Sequence, residues 1–222
     1  MGELILIRHG QASYGSDNYD ELSALGRRQA RWLGEYFHAL AIEPARVITG
    51  TQNRHVQTLA AIAEGMQCEF AAARDARWNE LDFQAIVDAF ARRHPALGDY
   101  SDAQPKSFFK VMRRALQAWS DGTLDAELPE RWPQFLARVA AALHELQQDD
   151  GRVFVVSSSG AIGAALLHIM RFPAQTHADL YLQARNTGIS ECFFNERTLR
   201  VTAFNQVPHL MAPARRQSIS FI

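Results

Sequence analysis

Leu4-Ile5-Leu6-Ile7-Arg8-His9-Gly10 decides the fold. Four apolar residues in a row show no alternation, so the run reads as a strand buried on both faces. That is the habit of a parallel sheet covered by helices. The run ends on charge and glycine, which puts its carboxyl end at Arg8. Glycine at position 10 lets backbone approach a ligand closely. Residues 11–22 are polar, with Gly15, Ser16, Asp17 and Asn18, and read as a loop. A helix then starts near Ser23, a residue type that caps helix N-termini. Its apolar positions Ala30, Leu33, Phe37 and Leu40 step by three and four and give one buried stripe.

Short strands and helices keep alternating downstream. Val47-Ile48-Thr49 is a second strand, and Gly50-Thr51 turns the chain into a helix over 53–64, with Val56, Leu59, Ala60 and Ala63 inward. Cys68-Glu69-Phe70 is expected as a third strand. Residues 83–120 are helical in pattern but broken by Pro95, Gly98 and Pro105, and they carry Phe83, Phe90, Phe108, Phe109 and Trp119. They read as a helical insertion or cap, its aromatics mostly core. Leu136, Val139, Leu143 and Leu146 mark the next helix. Val153-Phe154-Val155-Val156 is the most hydrophobic strand and runs into Ser157-Ser158-Ser159-Gly160, after which Ile162, Leu166 and Ile169 share one side of a helix. Residues 189–194 and 199–204 close the sheet around a turn at Asn195-Glu196. The expected architecture is α/β: one three-layer α/β/α domain over residues 1–222. Its sheet is mostly parallel, and the 83–120 insertion lies over the C-terminal strand ends.

Composition narrows the function classes. Of 222 residues, 47% are hydrophobic and 21% charged, and the net charge is −1. There is no broad basic field for nucleic acid or an anionic membrane, so any anion must be held locally. No apolar run approaches the ~20 residues of a membrane span, and residues 4–7 are too short for a signal segment. A cytoplasmic protein is expected. Cys68 and Cys192 fit neither a redox pair nor a metal site and read as two reduced packing residues. His38, His94, His144, His168 and His177 read as surface or helix-end residues.

Ligands of such sheets bind beyond the carboxyl ends of the strands. Arg8-His9, the turn at 49–54 and the stretch 157–160 all fall there, so three polar clusters are predicted to converge. Arginine presents a planar fork of donors suited to phosphate oxygens. A neutral imidazole is a nucleophile able to form a covalent intermediate. Arg54 stands at a helix start, where free N–H groups and the dipole favour an anion.

With these residues placed, the chain resembles the histidine phosphatase superfamily, in the branch of the phosphoglycerate mutases and related phosphatases. Arg8-His9-Gly10 matches its signature. Leu22-Ser23-Ala24-Leu25-Gly26 with Gln29-Ala30 is similar to the segment opening its first helix. Arg54 with Gln57-Thr58 matches its second-arginine motif. Trp78-Asn79-Glu80-Leu81-Asp82-Phe83 resembles the segment bearing the proton donor. Asn186-Thr187-Gly188-Ile189 and Val207-Pro208-His209-Leu210 complete the likeness.

The resemblance implies a metal-independent phosphatase of the histidine acid phosphatase type, with no cofactor. His9 becomes phosphohistidine, Arg8 and Arg54 hold the phosphoryl oxygens, and Glu80 protonates the leaving oxygen and then activates water. The implied partner is a phosphorylated small molecule or phosphoprotein, without nucleic acid or membrane. A homo-oligomer is compatible with a sequence that is silent on assembly. One position departs from the family: Ser158 stands where a second histidine contacts the phosphoryl group. Ser158 is still the expected phosphate ligand there, but losing one preorganised donor costs about 10²–10³ in rate. A catalytically weak or inactive phosphate-binding protein is therefore one alternative. A mutase is the other, although Leu81-Asp82-Phe83-Gln84-Ala85 does not resemble the mutase stretch. His55 is the obvious substitute imidazole, but a helical step of about 100° from Arg54 predicts that it faces away. A serine nucleophile is disfavoured, because 157–160 lacks the Gly-x-Ser-x-Gly pattern.

Overall fold

The computed structural model describes residues 1–13, 20–95, 105–148 and 150–221, with the backbone alone at 105–108. The apolar run at the start forms β1 (Gly2–Arg8) inside the sheet. β1 pairs in parallel with β4 (Arg152–Ser157), Leu4 opposite Val153 and Arg8 opposite Ser157. On its other side runs β5 (Ile189–Phe194), antiparallel, with Ile7 opposite Ile189. β2 (Arg46–Thr49) lies parallel between β4 and β3 (Ala72–Arg74), and β6 (Leu199–Gln206) is antiparallel to β5. The order of the six strands is β3-β2-β4-β1-β5-β6.

The pleat sends alternate side chains to opposite faces. Ile5, Ile7, Val47, Phe154, Val156 and Ile189 meet α1 (Ala24–Ala39) and α2 (Asn53–Met66). Phe37 of α1 lies 4.8 Å from Phe154, ring centre to ring centre. Leu4, Leu6, Ile48, Val153, Val155 and Phe194 meet the helices of the other face, chiefly α5 (Trp132–Leu146) and α6 (Ser159–Met170). All four residues of Val153-Phe154-Val155-Val156 are wholly buried, each such burial contributing roughly 1.5–3 kcal/mol. Burial on both faces explains why these strands show no alternation in sequence.

Residues 83–120 contribute α3 (Phe83–Arg93), which leaves the carboxyl end of the sheet just past Glu80, and α4 (Pro105–Ser120). Both join the core that α5 and α6 cover. Trp119 of α4 packs edge-on against Trp132 and Phe135 of α5, and its indole N–H donates to the Glu130 carbonyl at 3.0 Å. Phe90 and Trp119 are core, as expected, whereas Phe109 is exposed.

Several expectations are corrected. Leu40, expected in the buried stripe of α1, is exposed, and α2 turns Leu59, Ala61, Ile62 and Met66 inward rather than Val56, Ala60 and Ala63. The third strand begins at Ala72, not Cys68. Gln67 takes a left-handed conformation after α2, and the Cys68 N–H still bonds back to the Ala63 carbonyl, so residue 68 closes the helix. Cys192 is a buried packing residue but Cys68 is exposed. His177 is wholly buried, in α7 (Thr176–Gln183), a helix too short to leave a period in the sequence. No helix among the described residues is long and apolar enough to cross a membrane.

Candidate active site

β1 and β4 end side by side. The His9 N–H donates to the Ser157 carbonyl at 2.9 Å, which sets His9 next to Ser158 at the carboxyl edge of the sheet. The His9 carbonyl accepts from the Thr187 N–H at 3.2 Å and from the Asn186 side-chain amide at 3.3 Å. Its Nδ1 stands 2.7 Å from the Gly10 carbonyl. A carbonyl only accepts, so Nδ1 carries the hydrogen and Nε2 keeps a lone pair for chemistry. Burial, then Arg54, Arg8 and His55, holds the His9 pKa well below the usual 6.5, against the pull of the Gly10 carbonyl. The ring is therefore neutral at pH 7. Gly10 itself lies against α1: a Cβ there would come within 2.4 Å of the Gly26 carbonyl oxygen.

The first turn of α2 faces the same edge. The Thr58 hydroxyl donates to the Arg54 carbonyl at 2.6 Å and accepts from the Gly10 N–H at 3.0 Å, tying α2 to the residue after His9. The Arg54 guanidinium donates to Asp20 at 2.8 Å and to Gln52 Oε1 at 3.0 Å. The other Asp20 oxygen accepts the Asn53 N–H at 2.8 Å. A carboxylate thus already rests where the helix N-terminus and an arginine converge, as expected for an anion-holding corner. Arg8 follows a different path. Its guanidinium donates to the Ala184 carbonyl at 2.5 Å and to the Phe221 carbonyl, so the C-terminal segment anchors it. Its charge still acts on His9 and on Glu80.

Glu80 arrives from the segment after β3. Its N–H donates to Gln52 Oε1 at 3.0 Å, the oxygen that also accepts from Arg54. Its carboxylate accepts from the Gly160 N–H at 3.0 Å, the Leu81 N–H at 3.1 Å and the Ser159 hydroxyl at 3.3 Å. Burial pushes the Glu80 pKa up, and Arg54, the Gly160 and Leu81 N–H groups and Arg8 oppose it. A raised carboxyl that shares the field of two guanidinium groups with a neutral imidazole can deliver a proton and take one back.

Ser158 is wholly buried at the N-cap of α6, and its hydroxyl lies 2.6 Å from His55 Nε2. The prediction that His55 faces away is overturned. The ring is wholly buried and its centre is 5.8 Å from that of His9. The 100° step is correct, but in the first turn of a helix aimed at the site both directions are inward. The structure therefore brings His9, Arg54, Glu80 and Ser158 together, with Arg8 adjacent, and adds His55, Asp20 and Gln52. Gln52 and Asp20 carried no distinguishing signal among other polar loop residues.

The chain matches the family model of the histidine phosphatase superfamily, branch 1, over residues 4–207. No curated protein matches it in sequence. Among solved structures it is similar to a phosphoserine phosphatase mutant from Entamoeba histolytica in complex with phosphoserine, with 18% identity, a TM-score of 0.66, and 95% of this chain and 100% of that chain covered. A phosphoglycerate mutase from Bacillus anthracis is 15% identical, with a TM-score of 0.67 and 94% of each chain covered. A mycobacterial glucosyl-3-phosphoglycerate phosphatase is 19% identical, with a TM-score of 0.62 and 92% and 99% covered. At such identities the likeness establishes the fold, while the match across residues 4–207 establishes more: the chain belongs to the histidine phosphatase superfamily, branch 1.

Proposed function

We propose that the protein is a phosphomonoester hydrolase working through a phosphohistidine on His9. The observation that carries this reading is the His9 ring itself. It is neutral, fixed by the Gly10 carbonyl with Nε2 left free, and it lies in the field of Arg54 and Arg8, the two charges that also act on the raised carboxyl of Glu80. The Nε2 lone pair forms the N–P bond as the ester P–O bond breaks. The departing oxygen takes its proton from Glu80. A water then gives a proton to Glu80 and attacks phosphorus, the N–P bond breaks, and phosphate leaves. Arg8 and Arg54 neutralise the phosphoryl oxygens as charge shifts, and Ser158 donates one neutral hydrogen bond. No step calls for a metal or a cofactor.

We read 83–120 as the cap that selects the substrate. Relatives in complex with phosphoserine and with 3-phosphoglyceric acid put small phosphomonoesters bearing a carboxylate first in a substrate panel. A second reading, phosphate binding without turnover, rests on Ser158 in place of a charged donor. Hydrolysis of p-nitrophenyl phosphate and the panel, wild type against His9→Ala without added metal, decides between them. Turnover abolished by His9→Ala is expected. Wild-type turnover no higher than the variant's, in a protein that binds vanadate, overturns the enzyme reading.

A further inference from the structure

His55 and Ser158 form a buried pair, and the roles proposed above leave His55 unused and do not say what orients the Ser158 hydroxyl. Ser158 occupies the N-cap of α6 yet makes no capping bond. Glu80 accepts the Gly160 N–H instead, and this leaves the Ser158 hydroxyl for His55 at 2.6 Å. The ring fits there because position 50 is glycine: a Cβ at Gly50 would come within 2.2 Å of His55 Nδ1. Resemblance to the family places an imidazole at position 158; this chain brings one from α2 to within a hydroxyl of the same spot.

We propose that His55 and Ser158 act as one unit, His55 Nε2–H donating to Ser158 Oγ so that the Ser158 hydroxyl hydrogen turns onto a phosphoryl oxygen held at His9. The proposal rests on the phosphoryl-transfer reading of His9. The direction of the bond follows from the unpaired end of the ring. His55 Nδ1 is buried and has no partner among the described residues. A buried N–H left without an acceptor is rarer than a lone pair left without a donor, so the hydrogen belongs on Nε2. A serine hydroxyl has one hydrogen and two lone pairs. Once a lone pair is engaged by Nε2–H, the hydrogen is free to point at the ligand, and the chain of two hydrogen bonds polarises both. Burial, reinforced by Arg54, keeps the ring uncharged, so the pair supplies a strong neutral donor without an added positive charge. His55 acts through Ser158 and is a positioning residue.

A double-mutant cycle reads the coupling. With p-nitrophenyl phosphate, Ser158→Ala and His55→Leu are each expected to lower kcat about 100-fold, with KM changed less than about threefold, since the donor strengthens toward the transition state. The double variant is expected to be no slower than either single one. His55→Gln keeps an amide donor and is expected to recover kcat to within about tenfold of wild type, a rescue that a space-filling role for His55 does not predict. Effects of Ser158→Ala and His55→Leu that multiply, or a His55→Leu enzyme as fast as wild type, overturn the proposal. If His55→Leu does not fold, His55→Gln is compared in wild-type and Ser158→Ala backgrounds. It is expected to slow the first and leave the second unchanged, and equal slowing in both overturns the proposal. Vanadate affinity, measured on the same variants, separates this idea from the phosphatase reading. A wild type that never turns over, but whose vanadate affinity falls about tenfold in each single variant and no further in the double, ends the phosphatase reading and keeps the pair. Independent effects on vanadate end the pair.

Discussion

At Glu80 two opposite influences meet in one carboxyl. Hydrogen bonds from Gly160 and Leu81 and the charge of Arg54 favour the carboxylate, yet burial outweighs them and the pKa is raised. At His9 burial and both arginines act together and the pKa falls. The signs fix the pH dependence of turnover. Glu80 must hold its proton to release the leaving group, so activity declines as pH rises through a value above 4.5. His9 must be unprotonated, so activity also declines as pH drops through a value well below 6.5. The profile of kcat/KM is expected to be bell-shaped, with its alkaline limb set by Glu80. Glu80→Gln is expected to lower kcat about 10²–10⁴-fold and to remove that limb for an activated ester such as p-nitrophenyl phosphate. A variant that keeps the limb assigns the proton to another group. His9 and Arg54 were legible because they stand at a strand end and a helix start, while Glu80 was read only through the resemblance of its segment to the family. His55 was not legible. Its direction depends on where α2 points, and its place depends on the absent side chain at Gly50.

The pairing of α1 with α2 shows what element geometry adds to pattern. Apolar spacing puts both helices on the sheet, but it misplaces the inner face of α2: Leu59 is buried as expected, whereas Ala60 is exposed, Val56 and Ala63 are half-buried, and Ala61, Ile62 and Met66 turn inward instead. It does not reveal how closely they cross. A Cβ on Gly34 of α1 would come within 2.1 Å of the Ile62 carbonyl oxygen and 2.9 Å of the Gly65 Cα. The helices therefore touch backbone to backbone, and that contact sets the pose of α2, whose first turn carries Arg54 and His55. In an isolated helix Gly→Ala stabilises by up to about 1 kcal/mol. Here backbone must move, and overpacking costs about 1–3 kcal/mol. Gly34→Ala is expected to be net destabilising and to lower the denaturant midpoint. It is also expected to reduce kcat more than a surface substitution of equal destabilisation. An unchanged or raised midpoint shows that the helices can part freely. The misplaced start of β3 has a similar origin: Cys68 is polar-flanked and extended in pattern, but its N–H is committed to the end of α2. α7, only eight residues long, presents no period to read.

A net charge of −1 conceals the feature that governs the whole molecule in acid. His9, His55, His177 and His209 are buried, and burial holds each below the usual histidine range. For His177 the pKa falls to about 4, opposed by its bond to the Gly160 carbonyl; for His209 it falls to about 3, with Arg215 adding to burial. Composition counts these rings but cannot say that the fold encloses them. An unfolded chain protonates its histidines near 6.5, while the folded chain resists. Above that pH both states are neutral and nothing is lost. Below it the unfolded state gains protons and stability declines, down to the folded values. By pH 5 His177 and His209 each cost about 2 kcal/mol, and His9 and His55 act in the same direction. Against a typical total of 5–15 kcal/mol that is a large share. The lowered carboxyls Asp75, Glu127 and Glu145 lose their contribution only in more acid solution; the raised carboxyls Glu80 and Glu191 act in the opposite sense and offset part of the loss, so the decline between pH 6.5 and 5 comes from the histidines. Urea denaturation at pH 7.5, 6.0 and 5.0 is expected to show the unfolding free energy falling by several kcal/mol, mostly below 6.5. His177→Gln, whose amide can still donate to Gly160, is expected to fall less steeply over the same interval. A free energy flat from pH 7.5 to 5.0 means that the rings are hydrated or charged in the folded protein, and the neutral His9 on which phosphoryl transfer depends is lost with them.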